Sequence, residues 1–402
     1  MTVYKYKAVN ENGEKLEGVY SASSKEGVFE MISSNKYYPV LVEEVREDNM
    51  DFSFKNRKKV KSKDIAVFCR QFYTMFEAGL SINNCLGILK DQISNKKLRE
   101  AVALVEEQVK KGETMAGAME GMEKIFPPLL VNMIASGEAS GTLDQIMFRM
   151  SAYYEREDKI TSKIKSAMIY PIVLAVVSIV VITFLLIFVM PMFVSMFKES
   201  GTDLPGVTKL VLGISGAITN YWYIIILVVG TIVFFIKAYI KSPKGRVNID
   251  KLKLKMPIIK RLNEKLVVSR FTRTLSTLLA SGISLIQGLF IVSSIVSNKV
   301  AEEAILSIRE NMLKGGTLGE EIREKKIFPI MLSSMVSIGE ESGQLDEILN
   351  KTADFYDEEL EREIQNVTAL IEPLMIVIMG VVVGILILSI ILPMFNMYSI
   401  VQ

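Results

Sequence analysis

Apolar residues follow two different patterns along this chain. From Asp64 onward they recur among charged residues at helical spacing. Ile65, Phe68, Cys69, Phe72 and Phe76 lie at i, i+3, i+4, i+7 and i+11, which is one face of a helix. Gly79 then stops that helix and Ser81 starts another. Elsewhere the charges disappear. Ser166 to Phe197, Leu210 to Ile236 and Pro373 to Gln402 contain no Asp, Glu, Lys or Arg. Each run exceeds the ~20 residues a helix needs to cross ~30 Å of hydrocarbon. Three transmembrane helices are predicted, near residues 170–190, 220–240 and 373–392. Pro171 and Pro191, and again Pro373 and Pro393, suit helix ends at the membrane boundary.

The pattern occurs twice. Ile125 to Asp144 reads IFPPLLVNMIASGEASGTLD, and Ile327 to Asp346 reads IFPIMLSSMVSIGEESGQLD, with 11 of 20 positions identical. Upstream, Phe68, Arg70, Thr74, Gly79 and Ser81 return as Phe271, Arg273, Thr277, Gly282 and Ser284. Downstream, Tyr154, Ala167 and Pro171 return as Tyr356, Ala369 and Pro373. The offset is 203 residues before the Lys111-Gly112 pair and 202 after it. This is an internal repeat of a polar helical block running into an apolar span.

The expected architecture is a mainly α membrane protein. Residues 1–50 form a small β-β-α-β module, with Asn12-Gly13 as the hairpin turn. Residues 51–63 are a basic linker, read as a solvated tether or a contact with anionic lipid. Residues 64–168 and 267–371 are two tandem cytoplasmic bundles of about six helices each. Around them lie the first span (169–190), an extracytoplasmic loop (191–219), the second span (220–240), a basic connector (241–266), the third span (372–392) and an extracytoplasmic tail (393–402). Thr142-x-x-Gln145, Thr317-x-x-Glu320 and Ser284-x-x-Gln287 fit capping boxes. No break signal separates the charged stretches YYEREDKITSKIK and FYDEELEREIQN from the spans that follow them, so each bundle should join its span stiffly.

Charge sets the orientation. Arg156, Lys159, Lys163 and Lys165 precede the first span, and Lys237, Lys241, Lys244 and Arg246 follow the second. The positive-inside rule then puts both bundles in the cytoplasm and the C-terminus outside. The opening MTVYKYKAVN has no apolar h-region, so the N-terminus is expected in the cytoplasm. Tyr221, Trp222 and Tyr223 fall where an aromatic belt would lie. The net charge of +2 gives no reason to expect nucleic acid.

The chain has no histidine, which excludes Ser-His-Asp chemistry and His-based metal sites. Cys69 and Cys85 are too few for a zinc site and read as core residues. No nucleotide-binding fingerprint is present. The strongest polar motif is the repeated Gly-Glu-x-Ser-Gly-x-Leu-Asp, carrying Glu138, Asp144, Glu340 and Asp346. It reads either as a helix–helix corner, closed by Gly and complemented by Asp at the next helix dipole, or as an acidic docking surface or weak cation site.

These motifs resemble the type II secretion F family. The resemblance rests on the two GE-x-SG-x-LD corners, on Pro191-Met192-Phe193 and Pro393-Met394-Phe395 closing their spans, on Leu204-Pro205, on the third span, and on the opening YKYKAVNENGEKLEG. It implies an inner-membrane platform protein that is not itself an enzyme and has no cofactor or metal. It also implies a hexameric assembly ATPase as partner, a retraction ATPase where the system has one, pilins or pseudopilins, other inner-membrane assembly subunits, the lipid membrane, and further copies in a small homo-oligomer. By motif position Arg70, Glu138 and Asp144, with Arg273, Glu340 and Asp346, are the candidate partner-binding residues. The residues alone leave a membrane scaffold or a transporter subunit unrelated to filament assembly as alternatives.

Overall fold

The computed structural model describes residues 2–9, 15–22, 25–34, 37–44, 59–192 and 206–400. The N-terminal module has the expected order, with β1 (Thr2–Val9), β2 (Lys15–Ala22), α1 (Lys25–Ser34) and β3 (Tyr38–Glu44). β1 is the central strand and pairs antiparallel with both neighbours, in the order β2-β1-β3. The Asn12-Gly13 turn, most of the basic linker and Leu204-Pro205 lie outside the described residues.

The first repeat comprises α2 (Ser62–Glu77), α3 (Ile82–Gln92), α4 (Lys96–Lys110), α5 (Met115–Met119), α6 (Pro128–Ser140) and α7 (Leu143–Phe184). A π-helical turn, Leu185–Val189, continues α7. α8 (Gly206–Lys241) and α9 (Pro243–Lys253) come next. The second repeat follows as α10 (Pro257–Leu279), α11 (Leu285–Ile295), α12 (Lys299–Met312), α13 (Leu318–Glu324), α14 (Ile330–Ser342) and α15 (Leu345–Ile400). The predicted face of α2 is the one that packs, for Ile65, Phe68, Cys69 and Phe72 are all buried. Gly79 and Gly282 end the first helix of each repeat at φ 90° and 79°, a region that favours glycine. The cores of the two repeats meet in one continuous apolar cluster.

Several expectations need correction. α7 and α15 run from bundle to span without interruption, so Pro171 and Pro373 lie inside helices rather than at helix ends. Each proline removes one helical hydrogen bond, and in a membrane-embedded helix the neighbouring groups absorb that loss. The segment expected as a loop up to residue 219 is helical from Gly206, and the helix geometry breaks at Tyr221 (φ −120°, ψ 21°). Before that break, Val211, Leu212 and Ile218 pack on Leu186, Met190 and Leu386 at the ends of the other two spans. Thr208 donates to Ser389 O (2.8 Å), and Ser215 Oγ donates to Leu186 O within the π-helical turn. The expected connector is also ordered. Asp250 on α9 is buried, accepts Lys299 N at 3.0 Å and so caps α12.

The three predicted capping boxes do not form. At the first corner the backbone closes itself, with Thr142 N donating to Gly137 O at 2.9 Å, and Thr142 Oγ1 turns to Ser140 Oγ instead. The first amides of α13 already have a carboxylate acceptor, so Thr317 is not needed there. Ser81, Asn95, Thr114 and Asn298 do cap their helices.

Candidate functional site

Each position of the repeated corner has a mechanical reason. Gly141 and Gly343 adopt φ 71° and 68°, the left-handed turn that ends α6 and α14. Gly137 and Gly339 let one helix cross the next closely. A Cβ on Gly137 would sit 2.8 Å from Ile146 Cγ1 and 3.1 Å from Leu143 Cα, and one on Gly339 would sit 3.1 Å from Leu345 Cα.

The glutamates between those glycines act at a distance in sequence. Glu138 accepts Met115 N (2.7 Å) and Ala116 N (3.0 Å), the first amides of α5. Glu340 does the same for Leu318 N and Gly319 N of α13, both at 2.7 Å. A carboxylate at a helix N-terminus satisfies orphan amides and meets the positive end of the dipole. The pairing reaches back more than twenty residues, and its sequence signal is Thr-Met-Ala and Thr-Leu-Gly standing at matched positions before each corner. Asp144 and Asp346 lie in the first turns of α7 and α15. Among the described residues no three Cys, Asp or Glu side chains converge as a metal-binding group.

Arg70 reaches Glu155 through Nε (3.2 Å to Oε1) and Nη2 (2.8 Å to each carboxylate oxygen), clamping α2 to α7. Arg273 clamps α10 to α15 through Asp357 Oδ2 (2.9 Å), Asn350 Oδ1 (2.6 Å) and Asp354. The two clamps occupy equivalent repeat positions. Their surroundings differ, because Asp357 is buried and also meets Ser269 and Arg156. Arg156 belongs to the first repeat, so this carboxylate joins both repeats.

Sequence reasoning missed the rest of that junction. Arg270 pairs with Glu157, Lys163 Nζ lies 2.5 Å from Glu361 Oε1, and Tyr153 Oη lies 3.1 Å from Thr274 Oγ1. Burial, with the charge of Glu157 adding to it, pushes the Tyr153 phenol up to about 12. Lys163, with Lys159 and Arg156, holds the Glu361 carboxyl below its usual range. The available signal was the density of opposite charges in YYEREDK and FYDEELERE.

Beside the junction is a cleft of about 470 Å³ between α7, α10 and α15. Arg149 and Arg156 from the first repeat face Arg273, Asp346 and Asn350 from the second. The structure therefore brings together Arg273 and Asp346 of the six candidate residues. Arg70 and Asp144 are half-buried near Tyr73 on the first repeat and do not line that cleft. Glu138 and Glu340 are turned inward to their helix caps.

These features define a class, a three-span membrane protein with duplicated helical bundles. The chain belongs to the type II secretion system protein F family. That family model matches residues 68–191 and 271–393, and the model of the family's N-terminal domain matches residues 1–43. The chain is 36% identical over 398 residues to the type IV pilus assembly protein PilC of Myxococcus xanthus, covering 99% of this chain and 95% of that protein. It is 35% identical over 402 residues to PilC of Thermus thermophilus, covering 98% of each. It is 27% identical over 402 residues to the type II secretion system protein F of Vibrio cholerae, covering 99% of this chain and 98% of that protein.

Proposed function

We propose that this protein is the inner-membrane platform of a type IV pilus or type II secretion-type machine. It couples a hexameric cytoplasmic assembly ATPase to the insertion of pilin or pseudopilin subunits into a filament. Where the system has a retraction ATPase, that enzyme meets the same cytoplasmic face, and other inner-membrane assembly subunits surround the spans. The protein performs no catalysis itself and works as a small homo-oligomer. Both bundles and the N-terminal module face the cytoplasm, and the C-terminus lies outside.

The observation that carries this reading is the continuity of α7 and α15. Each is a single helix running from a bundle corner into a span, with 42 residues in α7 and 56 in α15. The Arg156–Asp357–Arg273 junction ties the two rods together before they enter the bilayer. A displacement applied to the bundles is thereby delivered to the spans as one movement. On this reading Arg70 and Asp144, with Arg273 and Asp346, contact partners, while Glu138 and Glu340 hold the corners in the shape that partners meet.

The test is a pull-down of the detergent-purified protein against the assembly ATPase of the same organism, with ATPase rate as a second readout. Specific binding and a changed rate are expected. A folded pair that neither binds nor changes rate would overturn the coupling role.

A further inference from the structure

We propose that the elbow between α9 and α10 is a membrane-surface anchor that binds anionic phospholipid. Three large apolar side chains there, Leu252, Met256 and Ile259, are 55%, 45% and 38% exposed. Around them Arg246, Lys251, Lys255, Lys260 and Arg261 are exposed as well. Residues 241–263 hold eight Lys or Arg and a single acidic residue, Asp250. Asp250 is buried and already has Lys299 N and Lys253 as partners. Lys260 lies 3.7 Å from Glu264. Among the described residues no carboxylate pairs with Arg246, Lys251, Lys255 or Arg261. Exposed apolar groups set among unneutralised cations are what an element needs to lie in the headgroup region of an anionic bilayer.

Two sets of contacts put the elbow at that depth. On one side, α9 turns back on the end of the second span. Asn248 Nδ2 donates to Tyr239 Oη at 2.9 Å, and Gly245 packs so closely that a Cβ there would collide with Tyr239 O. On the other side, α10 runs antiparallel to α15. Arg273 meets Asn350, Ser269 meets Asp357 and Lys265 meets Glu363, so each step back along α10 is a step along α15 towards its span. Leu262 shares an apolar cluster with Ile364 and with Ala167, which lies inside the charge-free run that begins at Ser166. Met256 precedes Leu262 by six residues, about 9 Å of helix rise further towards the bilayer.

The occupant is therefore a lipid leaflet. A soluble acidic protein would neutralise the cations, but it would not supply an apolar phase for Leu252, Met256 and Ile259 at the level where the spans begin. The anchor also fixes the height of the second bundle. α9 is held to Tyr239 at one end and, through Asp250, to the start of α12 at the other, so a lipid-bound elbow holds that bundle against the membrane surface. The inference rests on the spans crossing a bilayer, and on neither the ATPase nor the filament role.

The experiment uses the full-length protein with Met256→Cys, labelled with an environment-sensitive fluorophore, in nanodiscs of phosphatidylcholine and phosphatidylglycerol. Cys69 and Cys85 are buried and take no label. Phosphatidylglycerol carrying a nitroxide at the top of its acyl chain should quench the probe. The quenching should exceed that by nitroxide-labelled phosphatidylcholine at the same mole fraction by about twofold or more. Iodide in the water should not reach the probe. Leu104→Cys, exposed on α4, should behave in the opposite way, open to iodide and not quenched by lipid. Leu252→Cys repeats the measurement at a second site, so that no single substitution decides it. Lys251→Gln with Lys255→Gln and Arg261→Gln should abolish the preference for phosphatidylglycerol at an unchanged Tm. Iodide access equal to that of Leu104→Cys would overturn the anchor, as would equal quenching by the two lipids. Protection from iodide without lipid quenching would overturn it too, because a protein would then cover the elbow. ATPase binding is read separately, so failure here does not count against the platform reading.

Discussion

Arg273 Nη2 and Asp357 Oδ2 stand 2.9 Å apart in the second repeat, and Arg70 Nη2 and Glu155 Oε2 stand 2.8 Å apart at the equivalent place in the first. One clamp has become the junction of the molecule, while the other remains at its surface. What separates them is burial. Asp357 is 5% exposed and shared by Ser269, Arg156 and Arg273, whereas the Glu155 side chain is half exposed and serves Arg70 alone.

Equivalent substitutions should therefore have unequal effects. Asp357→Ala leaves the Arg156 and Arg273 guanidinium groups with only the exposed Asp354 between them, at a cost of up to about 3–5 kcal/mol. Glu155→Ala removes an exposed pair worth under about 1 kcal/mol. Thermal unfolding of the two variants in the same detergent should show a much larger fall in Tm for Asp357→Ala. Equal shifts would refute the assignment of the junction.

Glu138→Ala and Glu340→Ala each orphan two helix-start amides. These amides are part-buried, so each costs toward the low end of the about 1–3 kcal/mol of a buried group left unsatisfied, and a loss of about 2–3 kcal/mol is expected for either. Amide exchange should accelerate at Met115 and Ala116 in one variant and at Leu318 and Gly319 in the other. Filaments that disappear while these amides stay protected would assign the glutamates to partner contact instead.

Gly137→Ala places a methyl group 2.8 Å from Ile146 Cγ1. Overpacking of this kind costs about 1–3 kcal/mol. Gly380→Ala, in the third span with nothing within 4 Å of the added carbon, serves as the control and should leave Tm unchanged or slightly raised.

Acid should loosen the bundles. Bonds from Lys110 and Lys90 lower the pKa of Glu106, Lys265 lowers that of Glu359, and Lys163 lowers that of Glu361. A carboxylate with a depressed folded pKa contributes its full stability above the unfolded value, about 4.5, and loses that contribution as pH falls through the folded value. Tm should hold from neutral pH down to that point and drop below it. Glu106→Gln should flatten part of the drop.

A cysteine added after Gln402 should react with an impermeant thiol reagent in intact, wall-stripped cells. Reaction only after lysis would reverse the orientation of the third span.

The sequence by itself determined the elements and their duplication. Charge-free runs must be membrane spans because unpaired charge is costly in hydrocarbon, and helical spacing in α2 must mark a buried face because side chains repeat every 3.6 residues. Gly141 and Gly343 were legible as helix ends because only a residue without Cβ adopts that φ freely. Capping was misread at Thr142, Thr317 and Ser284, and at Thr317 the reason is that local spacing does not reveal a carboxylate that arrives from another helix. Glu340 took the amides at the start of α13, where the sequence pointed to Thr317. Pro171 and Pro373 were misread as helix ends because one missing hydrogen bond is small beside the packing and low dielectric that hold a long membrane helix. Which of two equivalent clamps would be buried was decided only when the repeats docked. Asp357 and Glu155 are near-identical in chemistry, and they differ in energy because one was desolvated between two repeats and the other was left in water.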